Sequence, residues 1–232
     1  VRLANLKSGA FDLIERVLAT DIKNVRADKN LQLATALELG YQGLDINVGN
    51  SDASKNPLGQ SAKVRQALEL ALDRGALNQV VFNGEFRPGN QWVNPENPYY
   101  QKAFPVSKRD VAKAKALLKE AGVTAPFEID FMVPKGAETQ AVAEVIQAMA
   151  GEIGINMKIR VAEFATSLKQ AEQGNYHAYL LAWSGRTDPD GNTYIFFQSK
   201  APQDSMGNCK IAVDKLLDEA RIAALVKHPN VV

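Results

Sequence analysis

A single cysteine, Cys209, leaves no partner for an internal disulfide and no set of thiolates for a zinc site. The compartment stays open, because missing disulfides do not imply reducing surroundings. There are two histidines, His177 and His228, and no G-x-S-x-G, P-loop or G-x-G-x-x-G run. That poverty of nucleophile and base signatures argues against an enzyme. Long apolar runs are missing as well: the longest near-continuous one, Ala178 to Trp183, is six residues, against about 20 for a membrane-spanning helix. Nor is there an excess of one charge. With 27 Lys and Arg against 26 Asp and Glu the formal net charge is +1, so bulk charge recruits neither nucleic acid nor an anionic membrane. Internal repeats, low-complexity tracts and blocks of like charge are also lacking. The chain opens at Val1 without an initiator methionine, a basic segment or an apolar leader, and is expected to be a processed chain or an excised fragment.

What is present is an ordinary globular composition, 46% apolar and 23% charged over 232 residues, enough for one large domain or two associated lobes. Periodicity supplies the organisation. Leu31 to Leu37 and Tyr41 to Val48 alternate as strands, Gly49 to Gln60 reads as a linker, and Ser61 caps a helix with Val64, Ala67, Leu68, Ala71 and Leu72 on one face. Asp73, Arg74 and Gly75 break the chain before a second short helix. Residues 83–107, rich in proline and aromatics, form a long irregular segment of the kind that is more often functional than filler. Ser107 is expected to cap a helix ending at Gly122. Strands at 127–133, 155–161 and 177–183 then alternate with helices at 142–153 and 164–173, a β-α-β-α-β order that makes neighbouring strands parallel. The third strand, nearly all apolar, is expected to be buried on both faces. A last helix carries Val213, Leu216, Leu217 and Ala220.

Ligands of open α/β sheets sit outside the carboxyl ends of the strands. Three loops qualify, beginning at Pro134, Ala162 and Ser184, and only the third is chemically rich: Trp183, Ser184, Gly185, Arg186, Thr187, Asp188, Pro189, Asp190, Gly191, Asn192. Trp183 and Arg186 suit stacking on, and bidentate pairing with, a planar or carboxylated ligand. Two plainer readings stand beside this one: Asp188 to Gly191 as a simple turn, with Arg186 paired internally to Asp188 or Asp190, and Trp183 as core. A calcium loop is not supported, since Gly191 stands at the fourth place and Ser199 at the twelfth. His177 fits a core or sheet-face role better than catalysis. No metal and no cofactor are expected.

Several ordered motifs carry a resemblance. Asn56 to Gln60 leading into Val64-Arg65-Gln66-Ala67-Leu68 and Ala71-Leu72-Asp73-Arg74 resembles a signature of the dipeptide/oligopeptide-type extracytoplasmic solute-binding proteins of ABC importers, the family 5 solute-binding proteins. Asp12 with its Ser8-Gly9-Ala10-Phe11 lead, Asn47 at the end of a crossing strand, Ala112 to Gly122, Trp183 to Asp190 and Val213 to Arg221 are similar to further motifs in the same order. The resemblance implies an α/β fold, a periplasmic-binding-protein-like lobe of the class II, cluster C type with a mixed sheet and flanking helices. It implies residues 1–46 as the end of a first lobe with the crossing strand, and 47–232 as the second, carboxyl-terminal lobe, truncated before the final return segment.

By the same resemblance the chain is the substrate-binding component of an ABC importer. It would hold a peptide or similar small solute between two lobes through Trp183, Ser184, Gly185, Arg186, Thr187 and Asp188, and deliver it to a membrane permease. The protein would be a periplasmic or extracytoplasmic monomer with no nucleic-acid partner. Where peptide-binding relatives commonly place an aspartate for the ligand's amine this sequence has Arg186, which favours an anionic group on the solute at that point, unless Asp188 takes the aspartate's place. Cys209 stands where relatives carry an aromatic, and reads as a small buried residue. The alternative is a hydrolase or peptide chaperone that uses the 183–190 loop.

Overall fold

The computed structural model describes residues 1–188 and 190–197; the expected last helix and Cys209 lie outside them. Contacts group these residues into two compact units, Val1–Leu37 with Arg74–Pro88, and Glu38–Asp73 with the described residues from Gly89 onward. In the first unit the helices α1 (Arg2–Lys7) and α2 (Ala19–Ala27) precede a segment without regular structure. The strand expected over Leu31 to Leu37 does not form. Leu31, Leu33 and Leu37 are half-buried, but no described strand pairs with this backbone, and an alternating pattern without a neighbour makes no ladder. A guanidinium fork from Arg26 to both oxygens of Glu85, at 2.6 and 2.9 Å, ties α2 to the residues that follow helix α5 (Arg74–Phe82).

The second unit begins with β1 (Tyr41–Ile46), as its alternation predicts. The expected linker is not featureless: it holds a 3-10 turn at Asp52–Ser54 and the short helix α3 (Pro57–Gln60). Side-chain caps explain this, since Ser51 Oγ accepts from Ala53 N, and Asn56 Oδ1 accepts from Leu58 N and Gly59 N. Helix α4 (Ala62–Ala71) starts at Ser61, whose Oγ accepts from Val64 N, and buries Val64, Ala67, Leu68 and Ala71 as expected. The irregular stretch after α5 persists to residue 110. Helix α6 (Val111–Glu120) is capped by Asp110 rather than Ser107: the carboxylate accepts from Lys113 N at 2.8 Å, and a negative charge suits a helix N-terminus better than a hydroxyl three residues upstream. Helix α6 packs against α4.

Then come β2 (Phe127–Pro134), α7 (Ala137–Gly151), β3 (Ile155–Ala162), α8 (Phe164–Glu172), β4 (Ala178–Trp183) and α9 (Asp190–Phe197). All four strands make one sheet in the order β1-β4-β2-β3, with β2, β3 and β4 parallel and β1 antiparallel to β4. Helix α7 lies against β2 and β3, and α8 against β2. Ile129, Phe131, Val133, Ile155 and Met157 share one face of the sheet, and Met132 and Tyr179 lie on the other with Ala171 of α8. The expectation for β4 holds for its first half only: Ala178, Tyr179 and Leu180 are buried, while Ala182 is exposed and Trp183 half-buried. The cause is in the register. Only Ala178 and Tyr179 pair with β2, so beyond them β4 borders β1 alone.

Asn47, fully buried just after β1, closes the unit on itself. Its Nδ2 lies within bonding distance of the carbonyls of Asn50 (2.6 Å), Gly174 (3.0 Å) and Tyr176 (3.1 Å), and its Oδ1 accepts from Asn50 N. Asn50 Nδ2 and Ser51 Oγ reach on to the carbonyls that end α8, satisfying groups a helix terminus leaves orphaned. Replacing Asn47 with Ala strands buried carbonyls, and urea titration is expected to show a loss of about 1–3 kcal/mol of unfolding free energy.

Candidate functional site

The chain runs from β2 to β3 on one side and then returns to place β4 on the other side of β2. The strand order therefore reverses between β2 and β4, and at their carboxyl ends these strands no longer pair. Such a reversal opens a crevice where ligands of open α/β sheets sit. The loops after β2 and β4 flank this reversal of strand order. The first is chemically plain: Lys135 forms an exposed ion pair with Glu163 at 2.9 Å, which lifts the lysine pKa through a side-chain hydrogen bond.

The loop after β4 is held as a small scaffold around Asn192, a residue of α9 that is 2% exposed. Its Oδ1 accepts from Trp183 Nε1 at 3.0 Å and from the Arg186 amide at 2.7 Å, and its Nδ2 donates to the carbonyls of Arg186 (2.6 Å) and Asp188 (3.1 Å). One amide thus spends its capacity on fixing one turn. Phe196 meets the Trp183 ring edge-on at 4.8 Å. The turn also needs two residues without side chains. Gly185 has φ 74° and lies against Leu39, and a Cβ at Gly40 would overlap the Trp183 carbonyl oxygen.

The Arg186 guanidinium stacks over Trp183, 4.8 Å from the ring centroid, and Nη1 donates to Ser184 Oγ (3.1 Å) and to the Gly185 carbonyl (2.8 Å). Both bonds use Nη1 and both acceptors are neutral. The Nε–Nη2 edge, the one that pairs bidentately with a carboxylate, has no partner among the described residues. Ser184, Arg186, Thr187 and Asp188 are exposed and Gly185 is buried. Four of the six expected residues are thus exposed on one hydrogen-bonded turn, and Trp183 is half-buried beneath Arg186. Asn192, which organises them, was legible only as one polar residue in a run; a buried Asn just inside a helix was the missing signal. Pro189 and the Asp190 side chain lie outside the described residues.

His177 takes the sheet-face role expected of it. Its Nδ1 accepts from Asp130 N at 3.1 Å, and burial pushes its pKa down. Beside it Arg160 grips Asp130 with two hydrogen bonds, which raises the guanidinium pKa further. Asp12 is exposed between α1 and α2. Among the described residues no cluster of His, Cys, Asp and Glu could hold a metal ion, and no helix is long and apolar enough to cross a membrane.

Residues 1–205 match the family model for bacterial extracellular solute-binding proteins, family 5, middle region. The chain belongs to this family. Among its relatives are the dipeptide-binding protein of Escherichia coli, 29% identical over 88% of this chain and 38% of the relative, and heme-binding protein A of Haemophilus influenzae, 30% identical over 94% and 40%. The oligopeptide-binding protein AppA of Bacillus subtilis, solved with a nonapeptide, superimposes with a TM-score of 0.78 at 28% identity, over 94% of this chain and 45% of that one. The chain thus spans about two fifths of the length of the curated relatives. These family 5 relatives are binding proteins, which gives the hydrolase alternative no support.

Asn192→Ala removes all four hydrogen bonds that hold the turn. Hydrogen exchange at the Arg186 amide is expected to quicken roughly tenfold to a hundredfold, with the amides of β2 unchanged.

Proposed function

We propose that this chain is the part of an ABC-importer receptor that supplies one wall of the solute cleft. Residues 1–46 form the end of a first lobe with β1 as the crossing strand, and 47–232 the second lobe. The receptor works outside the cytoplasmic membrane as a monomer. It captures a peptide or similar small solute by closing two lobes upon it, and hands it to a membrane permease. Family membership supports the class of function, and the names of the relatives support peptides among the candidate solutes.

One observation carries the assignment of the site: the free edge of Arg186, stacked on Trp183 at the end of β4 and beside the strand-order reversal. Stacking leaves a guanidinium less conformational freedom to lose when it binds, and its planar fork matches a carboxylate. Arg186 therefore takes an anionic group of the solute with Trp183 as a packing wall, while Ser184, Gly185, Thr187 and Asp188 shape the rim. No covalent step is required of these residues.

Two outcomes are expected in calorimetry. The isolated 232-residue chain binds the solute of the full-length protein weakly or not at all, because one wall cannot desolvate it; micromolar binding by the isolated chain would contradict a two-walled cleft. In the full-length protein Arg186→Ala weakens the co-purified solute about tenfold to a hundredfold and leaves the melting temperature of the unliganded protein nearly unchanged. Normal affinity in a folded Arg186→Ala protein removes this residue from the site.

A further inference from the structure

Asp45 sits within β1, half-buried, and among the described residues its carboxyl group meets neither a hydrogen-bond donor nor a neighbouring positive charge. Burial alone acts on it and pushes its pKa up to about 7. A carboxylate held this way destabilises the fold that carries it. Such local conflicts mark places where a sequence serves something other than stability.

The surroundings give this one a shape. The antiparallel register sets Tyr41 opposite Trp183, Gly43 opposite Leu181 and Asp45 opposite Tyr179, and residues directly opposed share a face. Tyr41 and Asp45 therefore stand on the same face as Trp183, with only a glycine between them. A Cβ at Gly43 would have nothing within 4 Å except the Tyr41 ring, at 3.7 and 3.8 Å. The strand thus carries a slot floored by Gly43, with an aromatic ring at one end and a carboxyl group at the other. Beyond the ring lies Trp183 with the Arg186 guanidinium stacked on it.

We propose that Asp45 is the subsite for a cationic group of the solute, an ammonium or guanidinium that lies over Gly43 against the Tyr41 ring while the solute's anionic group meets Arg186. This rests on the reading of the 183–188 loop given above. A carboxylate and an aromatic face together attract a cation more strongly than either does alone. The spacing narrows the solute class. Four residue steps lead from the Tyr41–Trp183 pair to the Asp45–Tyr179 pair, about 13 Å at roughly 3.3 Å per strand residue. An extended peptide covers that span in three or four residues. The solute is a short zwitterionic chain with its opposite charges at its two ends.

Asp130, Lys158 and Arg160 stand on this same face farther across the sheet, with Arg160 paired to Asp130 and Lys158 to Glu128, and none of these groups is an influence on Asp45. Burial pushes the phenols of Tyr41 and Tyr179 upward, Tyr41 to about 12, and Asp45 adds to both shifts; His177, just before β4, is pushed down toward its neutral form. Near pH 6.5 the Asp45 carboxyl is largely protonated in the free protein. A cation arriving beside it favours the ionised form, so binding must release a proton.

The test uses the full-length protein, with tri-alanine and N-acetyl-tri-alanine as probes, which differ in the amine charge. Titration calorimetry at pH 6.5 in two buffers of different ionisation enthalpy reads both affinity and proton release. Tri-alanine is expected to bind at least about tenfold tighter than its acetylated form and to release a fraction of a proton. Asp45→Asn should abolish both the preference and the release, and Arg186→Ala should weaken both peptides while leaving the preference intact. Gly43→Val, which fills the slot without touching either charge, should also erase the preference. Asp45→Asn loses a buried ionisable group and should melt no lower than the parent at pH 8, which separates a binding role from a structural one. A folded Asp45→Asn protein that keeps the preference overturns this subsite alone. Unchanged binding of both peptides to Arg186→Ala overturns the loop reading instead. If no peptide from di-alanine to tetra-alanine binds the parent, the peptide class falls, and this subsite with it.

Discussion

The amide of Asn47 is the constraint on which the second unit depends. A strand at a sheet edge has to be stopped, turned and fastened to the next layer, and each of those tasks leaves carbonyls that water can no longer reach. Asn47 meets three of them from a fully buried position and receives the Asn50 amide in return. Its own backbone amide donates to the His177 carbonyl just before β4 begins. The end of β1, the end of α8 and the start of β4 are thereby joined through one side chain. Removing one partner from such a network costs more than the average hydrogen bond contributes, because the groups left behind stay dry.

A second asparagine repeats that logic at the other end of β4. Asn192 fixes the turn that carries Arg186, and the turn in turn aligns the guanidinium with Trp183. Both asparagines use one short side chain to satisfy several backbone groups at once, which a hydroxyl could not do and a longer amide would do with greater entropy loss. The turn is therefore held by hydrogen bonds that do not depend on any ligand. A loop fixed in advance lowers the ordering cost of binding.

Between these two clasps β1 and β4 run side by side, and their residues differ in what they give to stability. Leu180 and Tyr179 are buried and hold the sheet. Asp45, on the neighbouring strand, opposes it, with a carboxyl group that burial keeps largely protonated below neutrality. Asp45 lies on β1, whose strand neighbour among the described residues is β4, and it stays half-buried there.

Periodicity alone determined the β-α-β-α-β run, the buried stripe of α4 and the capping role of Ser61, because those features depend on residues close in sequence and on which face must avoid water. Ordered motifs determined the family. What depends on distant residues was illegible. Leu31 to Leu37 alternates like a strand, yet pairing needs a partner the pattern does not name. Gly49 to Gln60 reads as linker because Asn56 and Ser51 cap by geometry, not by hydrophobicity. Arg186 could be seen from sequence, but the edge it leaves without a partner among the described residues could not, since that follows from how Nη1 is engaged within the turn that Asn192 holds. Asp45 drew no notice at all. In the sequence it is one acid in a strand, and only the register against β4, with Gly43 beside it and no donor among the described residues, makes it a half-buried carboxyl group for which a cationic partner is proposed.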